Sequence, residues 1–365
     1  MTSPKSITAR FTVLFLPPLL LVALGALFLY RNESKANETI LQTRETFNIE
    51  NLQDIIRNDF QNIVSDLMFL TTQASIHAHA DKDGLQASRE LAVEFNEFAR
   101  YKGIYDQVRL LDRQGMETVR INYNDGQPAI VPPHHLQPKG KRYYFTDTIR
   151  LDRGGVFVSP LDLNIEQGQV EVPFKPVIRF GAPVFAHDGD KNGAVILNFL
   201  GSKLIDKLKQ ITDQSAGEVM LLNRDGDWLV APDQADDWSF MFQDRTERNF
   251  RRRHPELWEK IAAQDHGQFT HTRGLFTFTS IFPLQEGLRS SSGSPEAFTA
   301  SSQALSPEDY YWKLVSRVPP AQIHAEMDIF ITRLIGTSMF LVCVMAVGAW
   351  IVARAQCRRD QVLME

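Results

Sequence analysis

Arg179 stands in the run Ile178-Arg179-Phe180, a guanidinium between apolar strand residues. A cation placed there either grips a carboxylate or phosphate, or pairs with an internal acid, and Asp147 and Asp162 are the acids considered. The same two aspartates could accept bonds from a cationic ligand or cap a turn. Arg120 and Asn122 are two apart and share one face of a strand, either a ligand face or a solvated one. Tyr143 and Tyr144 follow Pro132-Pro133 and Pro138. They offer aromatic walls and hydroxyls to a ligand, or rings to a core. All of this is binding chemistry.

Catalytic chemistry finds little footing. The chain has no G-x-S-x-G, Walker loop or H-E-x-x-H motif. His77 and His79 diverge on a helix, and His134-His135 lies in a proline-rich loop, so all four read as surface histidines rather than metal ligands. Lys207/Lys209 and Arg251-Arg252-Arg253 read as solvated charge runs. Cys343 and Cys357, the two cysteines, lie in or after the last apolar segment. The middle of the chain therefore has no disulfide and no thiol nucleophile, and must hold itself by packing. A net charge of -5 gives no nucleic-acid footprint. The expectation is a protein that is not an enzyme, with no cofactor and no metal.

The elements that position these residues begin at the two ends. Phe11 to Tyr30 and roughly Leu334 to Val352 are uncharged apolar segments, each long enough as a helix to cross a bilayer. About 300 residues separate them. Arg10 and Lys5 precede the first segment, and Arg354, Arg358 and Arg359 follow the second, against Arg31, Lys35 and Arg333 on the opposite flanks. This bias puts both ends in the cytoplasm and the middle outside. The first segment is too long for a signal peptide and is followed by Tyr30-Arg31-Asn32-Glu33, not a cleavage site.

After the first span, Leu52, Ile55, Ile56, Phe60, Ile63, Val64, Leu67 and Leu70 recur at helical steps, with no proline between Arg31 and Thr72. This predicts a long stalk helix, its stripe packing mainly on its own domain, with dimer contact near the membrane. A shorter helix follows, about Gly84 to Tyr101. Val108 and Leu110, then Val119, Ile121 and Tyr123, alternate around Asp112-Arg113-Gln114-Gly115, a hairpin signature. The motif returns about 111 residues later as Leu221-Leu222-Asn223-Arg224-Asp225-Gly226. Further strands are expected at Val156–Leu163, Pro176–Phe185 and Gly193–Leu200 after the first hairpin, and at Gly267–Phe282 and Tyr310–Val318 after the second. Gly287 to Pro307, with seven serines, reads as a mobile loop and not a site. Two copies of a small antiparallel sheet, with helices on one side, make an α+β chain.

The stretches Val108 to Asn122-Tyr123-Asn124-Asp125-Gly126, Arg142-Tyr143-Tyr144-Phe145, Val158-Ser159-Pro160-Leu161-Asp162-Leu163-Asn164, Ile178-Arg179-Phe180, Pro183-Val184-Phe185 and Val195-Ile196-Leu197-Asn198 resemble the periplasmic double-Cache sensor domains of bacterial histidine kinases and diguanylate cyclases. The resemblance covers most of Asn32 to Pro320 and is closest in the membrane-distal half. It implies a stalk helix at 31–75, a distal PAS-like domain at 76–212 and a proximal one at 213–320. Spans at 11–30 and about 334–352, the latter within a helix at 321–353, and cytoplasmic ends at 1–10 and 354–365 complete the expected order.

The resemblance also implies a ligand pocket between the distal sheet and its covering loops. That singles out Arg120, Asn122, Tyr143, Tyr144, Asp147, Ser159, Asp162 and Arg179 as ligand-binding candidates. Amino-acid-sensing relatives carry a basic residue two places before an aromatic pair, partly matched by Lys141, Tyr143 and Tyr144. They also carry an aspartate for the ligand's amino group, where this chain has neutral Asn198. An α-amino-acid ligand is therefore disfavoured.

Family members usually continue after the second span into a connector and a catalytic output domain, whereas here only Ala353 to Glu365 follow Val352. A fragment, a truncated product and a receptor with a separate cytoplasmic output protein all fit that pattern. The leading expectation is a two-pass, homodimeric sensor in the bacterial inner membrane, its central region periplasmic, that binds a small molecule and signals across the membrane. The alternative is a receptor for a periplasmic protein with a vestigial pocket.

Overall fold

The computed structural model describes residues 7–79, 84–166, 168–186, 188–212, 217–284, 288–293, 301 and 303–362. Lys5 and the side chains of His77 and His79 lie outside the described parts. The chain divides into two compact units.

The first unit comprises residues up to 44, 270–275 and 318 onward. It holds the N-terminal part of helix α1 (Ile7–His79) and helix α7 (Pro320–Val362). The two helices run antiparallel here: Arg10 pairs with Asp360, and Asn37 Nδ2 donates to Met327 Sδ. Both are long and apolar enough to cross a membrane. Leu20, Phe28, Phe340 and Trp350 are exposed along them, as a lipid-facing surface requires.

The second unit comprises residues 45–269 and 276–317. Helix α2 (Gly84–Lys102) leads into strands β1 (Tyr105–Asp112), β2 (Glu117–Asn122) and β3 (Ala129–Ile130), then the short helix α3 (Tyr143–Ile149). Strands β4 (Val156–Val158), β5 (Asp162–Leu163), β6 (Ile165–Glu166), β7 (Gln169–Val170), β8 (Pro176–Phe185) and β9 (Lys191–Leu200) follow, closed by α4 (Gly201–Thr212). The later half has β10 (Glu218–Asn223), β11 (Trp228–Val230), α5 (Phe250–Arg253), α6 (Pro255–Ala262), β12 (His266–His271), β13 (Gly274–Ile281), β14 (Leu288–Ser291), β15 (Ala304–Leu305) and β16 (Trp312–Val318).

Two main sheets result. The larger, labelled the distal sheet after the resemblance above, has the order β15-β14-β4-β8-β9-β1-β2-β3, with β5 beside β8; the smaller, labelled the proximal sheet in the same way, has the order β11-β10-β16-β13-β12. The repeated hairpins thus lie in separate sheets and hold the same place in each, beside the last long strand of their set. Their turns are built alike. Asp112 Oδ1 accepts from the backbone N–H of Gln114 and Met116, and Asn223 Oδ1 accepts from those of Asp225 and Asp227, all at 2.9 Å. Gly115 and Gly226 close the turns at φ of 80° and 81°, a conformation that disfavours a Cβ.

The helical stripe of α1 packs as its periodicity predicts. Leu52, Ile56, Phe60, Ile63, Leu67 and Leu70 are buried in one core with residues of both sheets. Phe60 meets Phe180 of the distal sheet edge-on at 5.3 Å and Trp312 of the proximal sheet at 5.6 Å.

Three expectations are corrected. Val156–Leu163 is not one strand: Ser159-Pro160-Leu161 interrupts it, because Pro160 has no N–H for a ladder. Gly267–Phe282 is a pair of strands turning at Thr272-Arg273. Gly287–Pro307 is no free loop where it is described. Leu288–Ser290 pairs in parallel with Val156–Val158, and Ser290–Ser291 pairs with Ala304–Leu305, so an excursion between β13 and β16 adds two strands to the distal sheet. The serines suit that place: Ser290 Oγ donates to Val158 O at 2.6 Å, satisfying a buried hydroxyl. Gly287, 294–300 and 302 lie outside the described residues.

Candidate functional site

Strand pairing decides which residues share a face of the distal sheet. Arg109 stands opposite Arg120 and Ile196, Gln107 opposite Asn122 and Asn198, and Arg179 opposite Asn198. Ser159 continues the row beside Arg179, its backbone N–H donating to Arg179 O at 2.8 Å. One face therefore carries a polar row across four strands and the residue that follows β4: Arg120 and Asn122, Gln107 and Arg109, Asn198, Arg179, and Ser159. The opposite face presents Val108, Val119, Ile121, Phe180 and Leu197 to the core containing α1 and α2.

Helix α3 covers the polar face. Tyr143, Tyr144 and Phe145 are buried with Leu111, Phe157, Ala194 and Ile196. The approach is close enough that a Cβ at Gly181 would collide with Thr148 of α3. Tyr144 becomes the centre of the polar row. The guanidinium groups of Arg109, Arg142 and Arg179 lie 5.2, 5.6 and 5.7 Å from its ring centroid. Arg109 Nη1 donates to Tyr144 Oη at 2.9 Å, and Arg109 Nη2 donates to Asn198 Oδ1. Burial pushes the Tyr144 phenol up, but Arg109, Arg142, Lys139 and Arg179 outweigh it and hold the pKa below the ordinary tyrosine value. For Tyr143, burial and the charge of Asp162 outweigh the opposing pull of Arg179 and leave its phenol well above the usual value.

Arg179 has internal partners. Its Nη1 donates to Asp162 Oδ1 and its Nη2 to Asn164 Oδ1, both at 2.9 Å. Of the two acids considered, Asp162 holds it. Asp147 instead accepts from Ser301 Oγ, in the excursion that supplies β14 and β15. Ser159 Oγ accepts from Arg179 N at 2.8 Å, and Ser159 O accepts from Tyr310 Oη at 3.0 Å. Arg120 Nε donates to Asn122 Oδ1 at 2.9 Å, and the two line a cleft of about 290 Å³ with Val131, Pro132, His135 and Gln137 at the sheet's outer edge.

The fold thus gathers six of the eight candidates (Arg120, Asn122, Tyr143, Tyr144, Ser159 and Arg179) on or over one face. Asp162 is tied to that face through Arg179, and Asp147 stands apart on α3, facing Ser301. Sequence reading missed Arg109, Arg142, Glu117 and Asn164. Arg109 had a signal: Val108 and Leu110 were read as one apolar face, so the residue between them belonged to the other face and opposite Arg120. Among the described residues, no group of three or more His, Cys, Asp or Glu could hold a metal ion.

The family described as bacterial histidine kinase, sensor domain, matches residues 32–287. Among solved structures, the extracellular domain of vpHK1S-Z8, described as a histidine kinase, aligns over 79% of this chain and 98% of its own. Identity is 18% and the TM-score 0.62. A domain of a sensory box/GGDEF family protein from Vibrio parahaemolyticus aligns over 76% of this chain and 99% of its own, at 19% identity and a TM-score of 0.55. The ligand-binding domain of the chemoreceptor CtaA from Pseudomonas fluorescens, solved with L-isoleucine, reaches 15% identity and a TM-score of 0.48. No curated protein matches the sequence.

Proposed function

Because the chain belongs to the bacterial histidine kinase sensor domain family, we propose that it is a membrane-anchored receptor whose distal sheet binds a small molecule from the periplasm. The observation that carries this reading is the polar row that runs beneath α3, buried at Gln107, Arg109, Asn198, Arg179 and Ser159. A structural sheet would fill that layer with apolar side chains, because buried polar groups cost stability unless each is satisfied. Arg120, Asn122, Tyr143, Tyr144, Ser159 and Arg179 are the contact residues we assign, with Asp162 fixing Arg179. Asp147 acts on the position of α3 through Ser301. We assign no catalytic step to the chain.

A signal needs an element whose arrangement differs between the free and bound states. The excursion between β13 and β16 supplies a route. Through Ser290 it holds β4, through Ser301 it holds α3, and just beyond it Tyr310 holds Ser159. The chain then enters β16 and, directly after Val318, α7. Closure of α3 over a ligand would move groups bonded to the segment that precedes the second membrane helix. We take the working unit to be a homodimer, with both ends of the chain in the cytoplasm of a bacterial inner-membrane protein.

The test is a thermal-shift screen of the purified chain against metabolite libraries. A ligand at 100 times its Kd raises stability by about 2.7 kcal/mol. A reporter active only in the cytoplasm should work when fused after Glu365 and stay silent at the β8–β9 turn near Gly189. The reverse pattern would invert the topology. If no small molecule shifts the melt, while a periplasmic protein binds, the receptor-for-protein reading takes over.

A further inference from the structure

Arg109 is 3% exposed, and its Nε has no hydrogen-bond partner among the described residues. Its two other nitrogens bond neutral atoms, Tyr144 Oη and Asn198 Oδ1. The carboxylate beside it, Glu117, stops at 3.8 Å, beyond hydrogen-bond reach, and lies 3.6 Å from Arg120. Glu117 Oε2 is already bonded by the backbone N–H of Gln137 at 3.0 Å. A buried guanidinium usually meets a carboxylate in bidentate contact, and this one does not.

The charge balance of the layer has the same sign. Four guanidinium groups, those of Arg109, Arg120, Arg142 and Arg179, stand against two carboxylates, Glu117 and Asp162, a surplus of two positive charges. The neighbouring group Asp106–Lys175–Glu171 binds its cation between its two acids at 3.2 and 2.8 Å and returns at most one negative charge. The lowered pKa of the fully buried Tyr144 phenol is consistent with that field. The buried carboxylate oxygens left without a hydrogen bond among the described residues, Glu117 Oε1 and Asp106 Oδ2, belong to acids that already face cations, Arg109 at 3.8 Å and Lys175 at 3.2 Å. Asp162 is engaged by Arg179 at 2.9 Å, and Asn198 is neutral, its Oδ1 already accepting from Arg109.

We propose that the ligand of the distal face is a small carboxylate carrying no ammonium group, its carboxylate taken by Arg109 beside Tyr144. This rests on the binding-face reading above. Asn198 is the specificity-determining residue in this scheme. An aspartate there would pair with Arg109, remove the anion site and offer an acceptor to an ammonium group instead.

Matched probes test it on the full chain in nanodiscs, by calorimetric titration and thermal shift. Propionate is compared with L-alanine and propionamide, succinate with L-aspartate, and inorganic phosphate is the remaining anion. Propionate or succinate should bind, with its amino-acid counterpart at least about 100-fold weaker. Asn198→Asp should abolish that binding while the apo melt holds or rises, and Arg109→Gln should abolish it as well. An amino acid binding as tightly as its matched acid, phosphate binding in place of both acids, or carboxylate binding that survives Asn198→Asp would overturn the proposal. If a metabolite of another class shifts the melt while neither acid does, the carboxylate assignment fails and the binding reading stands. If no compound of any class shifts it, both fail.

Discussion

The two main sheets place like strands in like order, yet one face of each has a different fate. In the distal sheet the face under α3 is a row of buried polar groups around Tyr144. In the proximal sheet the corresponding face carries Met220, Leu222, Phe276, Phe278 and Val315 against Phe250, Leu257, Trp258 and Ile261 of α5 and α6. With the hairpins as the common frame, Met220 stands where Arg109 does. The cross-strand pair Gln107–Asn198 becomes Glu218–Arg317, a half-exposed ion pair that neutralises itself. Lys313, a buried cation on the proximal face, is satisfied internally, donating to Gln264 O at 2.6 Å and Ser280 Oγ at 2.7 Å. A shared frame therefore does not imply a shared function. The frame comes from strand order and turns, whereas the chemistry comes from a handful of positions on one face.

The largest effect should come where the two sheets share a residue. Phe60→Ala removes the edge-on contacts to both Phe180 and Trp312 and should cost about 3–5 kcal/mol. Hydrogen exchange should show amides of both sheets losing protection together. Loss confined to one sheet would break the picture of α1 as their common spine.

Next is the buried pair on the distal face. Arg179→Ala strands Asp162 and should lower apo stability by about 3–5 kcal/mol in denaturant unfolding. The half-exposed counterpart should behave otherwise: Arg317→Ala should cost less than about 1 kcal/mol. Equal costs would mean that burial does not separate the two faces.

Tyr310→Phe removes only the bond to Ser159 O and should cost about 1 kcal/mol. Its sharper reading is in coupling. Ligand affinity should hold while exchange protection of β14 and β16 ceases to respond to ligand.

The smallest effect concerns pH and belongs to the proximal half. Burial raises the Asp237 carboxyl to about 6, although its Oδ1 accepts from Ala231 N at 2.6 Å. The folded state then holds this proton more tightly than the unfolded chain, whose aspartates titrate near 3.9. Its contribution is favourable at low pH and is lost as pH rises from about 4 to about 6. Asp237→Asn should flatten that slope and stabilise the protein at pH 7 by roughly 1 kcal/mol after allowance for solvent screening. An unchanged slope in urea unfolding would remove Asp237 from the account.

The amino-acid sequence determined what depends on near neighbours in the chain. Hydropathy marked the spans. The three- and four-residue steps from Leu52 to Leu70 marked the long helix and the side it buries. Asp112 to Gly115 and Asn223 to Gly226 marked two hairpins, because an Asx side chain and a positive-φ glycine close a turn with no help from afar.

Tertiary structure alone decided what depends on distant partners. Arg109 and Asn198 meet only because β1 pairs with β9, and Arg179 chose Asp162 over Asp147 only because β5 lies beside β8. The serine-rich stretch after Gly287 has no strand-like alternation, so its affinity for the open edge of β4 was invisible in isolation. A strand of backbone bonds needs no side-chain signature when its partner supplies the register. The polar row is assembled from four strands and the residue that follows β4, and its surplus of buried charge exists only once they are side by side.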